Sequence, residues 1–518
     1  MSNSGISGAE RLRTIVTRQI PPGRIVVIAN REPYAHERNC DGTIVARRPA
    51  SGLVTGIEPV LRASAGTWIA HGGGSADREC SDRAGRVAVP PGTREYTLRR
   101  IWIEEDEYER YYSGFANEAL WPLCHLAHTR PTFRWSDWTS YQNVNAIFAR
   151  AAVEEIPGGG LLLVQDYHFA LIPRMVRNEA PHVVTGLFWH IPWPNREMIA
   201  ICPWKETLLR GMLGADIVGF HTRRYCENFL ETLSHHLDCR VDAEAMAVTH
   251  AGHRTLVRPY PISIEWPYPA ASRKAGAALR RSLGIPDSVH VSIAVDRADY
   301  TKGILERIAA IELLLEENPS LTGQFVFVQV ACPTRSGIRS YQELATGLNE
   351  AVERINARFG NSAWKPVVLR WGIFSPAEVA EFFAMAGSAL VTPLQDGMNL
   401  VAKEYVASCE DGDGVLVLSA FAGAAEELAG ALVVNPYDTR QVARAVLRAI
   451  RMPPAERLMR MRAMREQIAG HTIYDWSESL LTDMIDIRNG REAVQGAAER
   501  VRSPVRERFG AVRKERIV

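Results

Sequence analysis

The sequence predicts an α/β protein made of two doubly wound domains, each a largely parallel sheet covered by helices. Short apolar runs alternate with amphipathic stretches, which is typical of buried parallel strands joined by helices. The alternation forms two successive series, one starting at residue 24 and the other near residue 289. Three prolines between them, Pro261, Pro267 and Pro269, indicate a hinge at 262–269. Two such series favour two domains rather than one.

The strands of the first series are apolar runs rich in Val, Ile, Leu and Phe. They are predicted at 24–30, 160–165, 183–189 and 216–220. A helical pattern at 226–237 follows the last of them. Strands buried on both faces are apolar throughout rather than alternating, so these runs predict a central parallel sheet.

The second series repeats this organisation. Its strands are predicted at 289–295, 324–332, 366–371 and 415–418. The buried face of an intervening helix is formed by residues three and four apart: Ile304, Ile308, Ile311 and Leu315. A long helix is predicted from the prolines at 453 and 454 to residue 468, and another at 474–487.

The chain is therefore divided into five segments. Residues 1–23 are polar, lack the apolar core of a signal peptide, and are predicted to be disordered. Domains at 24–262 and 263–470 follow, then a helix at 471–490. The basic tail at 491–518 holds eight Lys or Arg against four Glu. A basic helix and an oligomer contact are alternatives for this tail, and a solvated extension is the simplest interpretation.

Composition excludes several classes of protein. A hydrophobic content of 46% and a charged content of 23% are those of a globular protein, and no apolar run is long enough to span a membrane. The net charge of +1 gives no reason to expect nucleic acid or membrane as a partner. The eight cysteines are scattered singly without a Cys-x-x-Cys pair, which predicts neither a disulfide framework nor a zinc site and favours the cytoplasm.

Residues 392–404 (Thr-Pro-Leu-Gln-Asp-Gly-Met-Asn-Leu-Val-Ala-Lys-Glu) are the most informative segment. If a helix begins near Asn399, its free N–H groups and its dipole face the preceding loop and suit a diphosphate. Gly397 allows a ligand to come close to the backbone. Asp396 and Glu404 can accept hydrogen bonds from sugar and ribose hydroxyls. An ordinary helix start capped by Asp396 is the alternative interpretation.

Residues 297–303 (Arg-Ala-Asp-Tyr-Thr-Lys-Gly) end a predicted strand and open a helix. Arg297 can bind phosphate with two hydrogen bonds, while Lys302 acts as a point charge. A solvated turn is the alternative interpretation. Together with residues 392–404, this pair resembles the donor half of retaining glycosyltransferases with two facing Rossmann-like domains.

From about residue 24 to about residue 484 the sequence resembles the trehalose-6-phosphate synthase family. The resemblance rests on motifs in a fixed order: Ile28-Ala29-Asn30-Arg31, Ser51-Gly52-Leu53, Tyr111-Tyr112, Leu120-Trp121-Pro122, Gln165-Asp166-Tyr167-His168, His190-Ile191-Pro192-Trp193-Pro194, 297–303, 392–404 and 416–424. It implies a GT-B type fold with the active site in the interdomain cleft. Residues 24–262 would bind the acceptor, residues 263–470 the nucleotide sugar, and the helix at 471–490 would cross back onto the first domain.

The resemblance also assigns site residues. Those assigned to the donor are Gly52, His190, Arg297, Lys302, Phe374, Asp396, Gly397, Met398, Asn399, Leu400 and Glu404. Those assigned to the acceptor are Arg31, Trp68, Tyr112, Trp121, Asp166 and Arg335. The catalytic set is Asp166, His190, Arg297 and Lys302. Arg31 and Arg335 would hold the acceptor phosphate, and Arg335 would couple domain closure to acceptor binding because it lies on the second domain.

The implied reaction transfers glucose from a nucleoside diphosphate glucose, with UDP-glucose expected, to glucose 6-phosphate with retention. Double displacement needs a carboxylate nucleophile, for which no residue stands out. A front-face substitution is therefore implied, in which the leaving diphosphate takes the acceptor proton. Since Arg297 and Lys302 would stabilise that group, neither a metal nor a cofactor is expected. Small molecules are the expected partners, and a homo-oligomer is left open.

Several positions depart from the commonest pattern of the family. The first strand continues as Asn30-Arg31-Glu32-Pro33-Tyr34 with a longer insertion before Ser51, and Gln395 replaces an arginine. The segment at 30–34 is also similar to glucosylglycerol-phosphate synthases, which use glycerol 3-phosphate. A pseudo-glycosyltransferase of the same fold is a further alternative. A sugar-nucleotide sensor without catalysis is disfavoured because Arg297, Lys302, Asp396 and Glu404 are all present.

Overall fold

The computed structural model describes residues 7–48, 52–126 and 129–511, and two large sheets organise them, the first largely parallel with antiparallel pairs at its edges and the second wholly parallel. The first domain contains a ten-stranded sheet and a separate two-stranded one. Its strands are β1 (Ile25–Ile28), β2 (Ala35–Arg38), β3 (Ile44–Arg47), β4 (Thr67–His71), β5 (Arg86–Val89), β6 (Tyr96–Ile101), β7 (Leu161–Gln165), β8 (Val184–Phe188), β9 (Ile217–Phe220), β10 (Arg240–Asp242), β11 (Ala247–His250) and β12 (His253–Pro259). The order in the large sheet is β10-β11-β12-β9-β8-β7-β1-β4-β6-β5, and β2 pairs with β3.

Helices cover both faces of this sheet. They are α1 (Gly8–Gln19), α2 (Gly52–Ser64), α3 (Glu105–Tyr108), α4 (Trp121–His125), α5 (Trp135–Glu155), α6 (Ile172–Glu179), α7 (Arg196–Ala200), α8 (Lys205–Met212) and α9 (Arg223–His236). A π-helical segment, Glu109–Leu120, joins α3 to α4, and a 3-10 turn, Tyr167–Phe169, follows β7.

The second domain contains a six-stranded, wholly parallel sheet in the order β15-β14-β13-β16-β17-β18. Its strands are β13 (His290–Arg297), β14 (Phe325–Cys332), β15 (Val367–Trp371), β16 (Ser388–Val391), β17 (Val415–Ser419) and β18 (Leu432–Val434). The remaining helices are α10 (Arg273–Ser282), α11 (Ile304–Glu317), α12 (Arg339–Phe359), α13 (Pro376–Ala384), α14 (Leu400–Ser408), α15 (Thr439–Arg451), α16 (Pro454–Gly470) and α17 (Ile473–Ala511). Short 3-10 turns lie at Tyr300–Lys302, Pro319–Leu321 and Gly423–Glu426.

The strand order creates a switch point in each sheet. In the first sheet, β1 lies between β7 and β4, so the chain winds outward in both directions from it. In the second sheet, β13 and β16 are neighbours and play the same part. Ligands of open α/β sheets bind beyond the carboxyl ends of strands at such points. The two doubly wound domains that the sequence predicts are therefore confirmed.

The predicted strands are found to within two residues at either end. Strands with polar or aromatic residues, such as β4 (Thr-Trp-Ile-Ala-His), were not among them, because they do not read as purely apolar runs. β1, β7 and β8 are buried at every position, as expected for a sheet covered on both faces.

The prediction that residues 1–23 are disordered is wrong for residues 8–19. They form α1, which Ser7 and Glu10 close with a capping box. Leu12 and Val16 are fully buried, and Arg11 pairs with Asp475 of α17 at 2.5 Å. Tertiary packing thus stabilises a helix whose polar sequence alone does not suggest one. Residues 1–6 lie outside the described residues.

Helix α17 returns from the second domain to the first. Trp476 is buried against Phe188 of β8, with the ring centres 5.1 Å apart. The Ser477 hydroxyl donates to the Gly56 carbonyl of α2 at 2.6 Å. Along the predicted basic tail, the backbone of 491–511 continues this helix, while 512–518 lie outside the described residues. Within the described residues, none of the helices has the length and apolarity needed to cross a membrane.

Candidate active site

A cavity of about 320 Å³ lies where the carboxyl ends of the two sheets face each other. Both domains contribute to its wall. The predicted site residues that line it are Arg31, Trp68, Tyr112, Trp121, Asp166, His190, Arg297, Lys302, Arg335 and Asp396. These residues are spread over most of the chain, and the fold brings them to one place because most of them follow or end a strand, while Trp68 lies within β4 and Tyr112 and Trp121 lie on helical segments.

Asp166 follows β7 in a left-handed backbone conformation, with φ of 74°. Its Oδ1 accepts hydrogen bonds from the backbone N–H groups of Tyr167 (2.9 Å) and His190 (3.1 Å). Burial raises the pKa of the Asp166 carboxyl to about 7, although both N–H groups and the guanidinium groups of Arg335 and Arg297 act in the opposite direction. The carboxyl can therefore change protonation state near neutral pH.

His190 follows β8 and is held by a single side-chain hydrogen bond. Its Nε2 lies 2.9 Å from Oε1 of Gln165, so Nε2 carries the proton and Nδ1 is an acceptor. Burial holds the pKa of His190 well below its usual value. The imidazole is thus neutral, which suits hydrogen bonding to a sugar rather than charge stabilisation.

Asp396 and Lys302 form an ion pair across the switch point of the second sheet. Lys302 Nζ lies 2.5 Å from Asp396 Oδ2, and Asn399 donates to the same oxygen at 3.0 Å. Burial raises the pKa of Asp396, but the Lys302 ammonium outweighs it, so the net pKa lies below the ordinary value. Asn399 caps α14, its side chain accepting from Ala402 N at 3.2 Å. The capping residue is therefore Asn399, not Asp396.

Two guanidinium groups flank the indole ring of Trp121. The central carbon of Arg335 lies 4.1 Å from the ring centre and that of Arg297 lies 5.5 Å from it. Asp299 is fully buried and accepts from Trp121 Nε1 (3.4 Å) and from Arg335 (3.3 Å). Arg335 also donates to the Tyr167 hydroxyl at 3.3 Å. A cation of the second domain is thus anchored to two residues of the first.

Tyr112 lies on the π-helical segment between two stacked rings. The centre of its ring is 5.3 Å from that of Tyr108 and 5.6 Å from that of His168. Burial raises the pKa of Tyr112, but the charges of Arg335 and Arg31 lower it by more. The phenol therefore faces two cations, an arrangement suited to a phosphate.

Trp68 and Arg31 have unused hydrogen-bonding capacity toward the cavity. Trp68 is fully buried on β4, and its indole N–H has no partner among the described residues. Arg31 is exposed, and within the described part of the chain no carboxylate pairs with it. A buried donor without a partner costs stability, so a ligand that accepts from it gains affinity.

The other predicted donor residues lie outside the cavity wall. Gly52 begins α2, Phe374 packs on Phe382 beyond β15, and Gly397, Met398, Asn399 and Leu400 form the loop and first turn before and at the start of α14. Glu404 lies one turn further along this helix, half-buried, and burial raises its pKa to about 7. None of the described residues donates a hydrogen bond to its carboxylate. The donor-binding roles of these residues remain predictions.

The cavity also contains residues that the motifs did not assign to the site. Gln165, Tyr167, His168, His125 and Glu32 all line it. Gln165, Tyr167 and His168 lie within two residues of Asp166. The strand end that predicts Asp166 as a site residue could therefore have predicted these three as well. Glu32 follows Arg31 directly and was noted only as a departure from the family pattern. Among the described residues, no group of three or more His, Cys, Asp or Glu side chains is arranged to hold a metal ion.

The sequence profile of glycosyltransferase family 20 matches residues 23–486 of the chain. The chain belongs to glycosyltransferase family 20. Its fold is accordingly of the GT-B type, with two Rossmann-like domains that face each other across the cavity.

Named members of the family are similar over most of the chain. A trehalose-6-phosphate synthase of Mycolicibacterium smegmatis is 37% identical over 469 residues, which cover 88% of this chain and 91% of that protein. A bifunctional trehalose-6-phosphate synthase/phosphatase of Thermoproteus tenax is 36% identical over 489 residues, covering 92% of this chain. This chain spans only 65% of that bifunctional relative.

Solved structures of trehalose-phosphate synthases are also similar over most of the chain. A structure from E. coli bound with UDP-2-fluoro glucose superposes with a TM-score of 0.80 at 32% identity, covering 89% of this chain and 99% of that one. An α,α-trehalose-phosphate synthase (UDP-forming) from Burkholderia xenovorans, in complex with glucose-6-phosphate, gives 0.78 at 31% identity over 89% and 100%. Both structures are therefore similar to this chain in sequence as well as in fold.

Proposed function

We propose that the chain transfers glucose from UDP-glucose to glucose 6-phosphate with retention, forming α,α-trehalose 6-phosphate. The observation that carries this proposal is a single cavity, shared by the two domains, whose wall holds four cationic side chains: Arg31, Arg297, Lys302 and Arg335. We infer that Arg297 and Lys302, at the switch point of the second sheet, bind a diphosphate, and that Arg31 and Arg335 bind a sugar phosphate. These are the charged groups of the two substrates.

On the donor side, Arg297 is the cation available to the leaving diphosphate. It makes no ion pair with any described residue, in contrast to Lys302, which is paired with Asp396. The N-terminal turn of α14 adds backbone N–H groups and the positive end of its dipole. We infer that these groups stabilise the charge that develops as the glycosidic bond breaks.

On the acceptor side, Arg31 and Arg335 would grip the phosphate, with the Tyr112 hydroxyl between them. Asp166 and His190 line the same cavity, and we infer that they contact the sugars. His190, being neutral, would hydrogen-bond the transferred glucose. Asp166 would accept a hydrogen bond from the acceptor and orient its anomeric hydroxyl toward the donor carbon.

The step we infer is a front-face substitution. The acceptor oxygen bonds to the anomeric carbon while the bond from that carbon to the diphosphate breaks, and the acceptor proton passes to a diphosphate oxygen. Front-face substitution needs no carboxylate nucleophile, so Asp166, whose Oδ1 is held by two backbone N–H groups, is left to orient the acceptor. Arg297 and Lys302 would supply the positive charge, so we propose that no metal or cofactor takes part.

The eight cysteines are all free thiols, and we place the reaction in the cytoplasm on that basis.

The test is a product assay with purified protein in the presence of a chelator. UDP-glucose, GDP-glucose and ADP-glucose are each combined with glucose 6-phosphate or glycerol 3-phosphate. We expect UDP release with glucose 6-phosphate and a non-reducing phosphorylated disaccharide. Turnover only with glycerol 3-phosphate would instead support a glucosylglycerol-phosphate synthase, and activity lost to the chelator would refute metal independence.

A matched pair of lysine variants ties that activity to this cavity. Lys302→Ala should lower turnover by about 10²–10³-fold, since it removes a charge that stabilises the leaving group. Lys274→Ala, which changes an exposed lysine of α10, should leave turnover unchanged. Equal turnover in the two variants would remove Lys302 from the mechanism.

A further inference from the structure

Glu32 is an acidic residue in the cavity wall, next to Arg31 of the proposed phosphate site. It follows Arg31 beyond the end of β1, lines the cavity, and is only 7% exposed. The reaction proposed above assigns no role to it, although the segment Asn30-Arg31-Glu32-Pro33-Tyr34 departs from the commonest family pattern. A carboxyl group so close to a phosphate site requires an explanation, because as an anion it would repel the phosphate.

Two side chains and one backbone N–H group from outside its own segment hold Glu32 in place. Arg100 of β6 is fully buried, and its Nε donates to Glu32 Oε2 at 2.7 Å. The same guanidinium pairs with Asp77 at 2.8 Å, and Asp77 is also fully buried. Gly73 N donates weakly to Glu32 Oε1 at 3.3 Å. Each carboxyl oxygen has two lone pairs, so Glu32 retains capacity to accept from a ligand.

The cluster of Glu32, Asp77, Arg100 and His36 contains two carboxyl groups but only one permanent cation. His36 Nδ1 accepts from Arg100 at 2.7 Å, so its imidazole is neutral. Asp77 receives backbone N–H groups from His36 (2.7 Å) and Gly74 (2.5 Å), which favour its anionic form. One carboxylate balances Arg100, and a second buried anion would be uncompensated.

The proton therefore resides on Glu32. Burial, together with a hydrogen bond to Asp77, raises the pKa of Glu32 to about 8, while the same bond helps to lower that of Asp77. At neutral pH the cluster is electrically neutral overall. Above the pKa of Glu32 it gains one negative charge at the cavity wall.

We propose that Glu32 is a specificity-determining residue of the acceptor site, where it accepts a hydrogen bond from a hydroxyl of the acceptor sugar in its uncharged form. This inference rests on the proposed function for the identity of the acceptor. Arg100 and Asp77 act as positioning residues: Arg100 holds the carboxyl group at the wall, and Asp77 together with burial favours its protonated form. The arrangement places a polar contact beside the phosphate without placing an anion there.

Other ionisable groups surround the cluster. From the elements packed around it they are Arg31 on its own segment, His36 on β2, His71 on β4, Asp77 and Cys80 after β4, Arg100 on β6, and Tyr108 and Tyr112 on α3 and the π-helical segment. Tyr112 also faces the cavity; burial raises the pKa of its phenol, but the charges of Arg335 and Arg31 lower it by more. The test must therefore separate its titration from that of Glu32.

The variant Glu32→Gln makes that separation. A glutamine is the same size as a protonated glutamic acid, accepts from Arg100 through its oxygen and donates to Asp77 through its nitrogen, but cannot ionise. Glu37→Gln is the matched control, since Glu37 lies on β2 and pairs with Arg47 at 2.8 Å on the surface. Tyr112 remains in both variants. A change of Kd with pH that is absent only in Glu32→Gln is therefore caused by the ionisation of Glu32.

The readout is calorimetric binding of glucose 6-phosphate to each protein saturated with UDP. The pH runs from about 7 to about 9.5, where the sugar phosphate stays doubly charged because its second pKa is about 6. In the wild type and Glu37→Gln, Kd should rise by up to about tenfold for each pH unit above the pKa of Glu32. In Glu32→Gln it should stay flat and lie within about threefold of the wild-type value near pH 7.

Two results would overturn the inference: a wild-type Kd that does not change with pH, and the same slope in Glu32→Gln as in the wild type. A failure to bind glucose 6-phosphate in any of the three proteins would overturn it as well. The product assay on the same preparations separates the two proposals. Absent turnover combined with the expected pH-dependent binding would refute the proposed reaction and leave the role of Glu32 standing.

Discussion

Asp166, Asp396 and Glu404 show how burial and neighbours set the chemistry of single carboxyl groups. All three are enclosed by protein, which by itself disfavours the charged form. Asp396 lies beside Lys302 and its pKa falls, whereas Glu404 has no compensating group and its pKa rises to about 7. Asp166 receives two backbone N–H groups, yet burial still dominates. The same residue type therefore serves as a permanent anion at one position and a titrating group at another.

The titration of Asp166 predicts an acid limb in the pH–rate profile. With UDP-glucose saturating, kcat/KM for glucose 6-phosphate should rise from pH 6 to pH 8 with a midpoint of about 7, because the ionised carboxyl accepts the acceptor hydroxyl's hydrogen bond more strongly than the neutral one. Asp166→Asn should lose this limb and lower kcat/KM by about 10²-fold. Steady-state kinetics across this range provide the measurement.

Glu404→Gln is the control for that experiment. Its carboxyl also titrates near neutral pH, but by resemblance it contacts the donor, which is saturating. The limb should therefore persist in Glu404→Gln. If the acid limb also persists in Asp166→Asn, a group other than Asp166 causes the pH dependence of kcat/KM.

At the scale of elements, the loop between β16 and α14 determines how closely the two domains approach. Gly397 lies against the first domain: a Cβ there would be 2.2 Å from the His190 carbonyl oxygen and 3.0 Å from the His221 ring. The Tyr225 hydroxyl donates to the Asp396 carbonyl at 3.0 Å across the same boundary. The absence of a side chain at residue 397 thus permits the contact that encloses the cavity.

Gly397→Ala should therefore separate the loop from the first domain. We expect kcat/KM for UDP-glucose to fall by about 10²-fold, since a shift of about 1 Å in a positioning loop has effects of that size. Gly337→Ala is the matched control, because a Cβ there meets nothing within 4 Å. Kinetics and thermal unfolding of both variants test this, and wild-type kinetics in Gly397→Ala would show that the loop has room to move.

At the scale of the whole molecule, α17 ties the end of the chain to the first domain. Trp476 and Ile473 pack beneath Gly56 of α2, where a Cβ would be 2.7 Å from Ile473. Met484 packs similarly against Gly186 of β8. Because α17 follows the second domain, it forms a second connection between the domains in addition to the hinge. This packing should limit how far the cleft opens.

Trp476→Ala should therefore destabilise the protein strongly. Removing a fully buried tryptophan costs about 3–5 kcal/mol in free energy of unfolding through lost burial and the cavity left behind. Trp135→Ala removes a tryptophan that is 71% exposed and should cost less than about 1 kcal/mol. Denaturant unfolding followed by circular dichroism measures both, and similar costs would show that α17 contributes little to stability.

Much of this protein follows from its sequence because the relevant signals are local. Strand ends are visible as the end of an apolar run. Residues placed there meet at one edge of their sheet for geometric reasons: Arg31 and Asp166 in the first sheet, Arg297 and Lys302 in the second. The helix start at Asn399 follows from its capping side chain. Ordered motifs at these points were sufficient to indicate the family.

Tertiary structure alone decided the features that depend on distant partners. The polar segment at 8–19 forms a helix because α17 and α2 cover Leu12 and Val16. Glu32 retains a proton because the fold buries it and places it beside Asp77, and these two effects outweigh the opposing charge of Arg100. Arg335 meets Trp121 only after two domains have folded and come together. Burial and charge pairing depend on distance in space, and sequence separation carries no information about that distance.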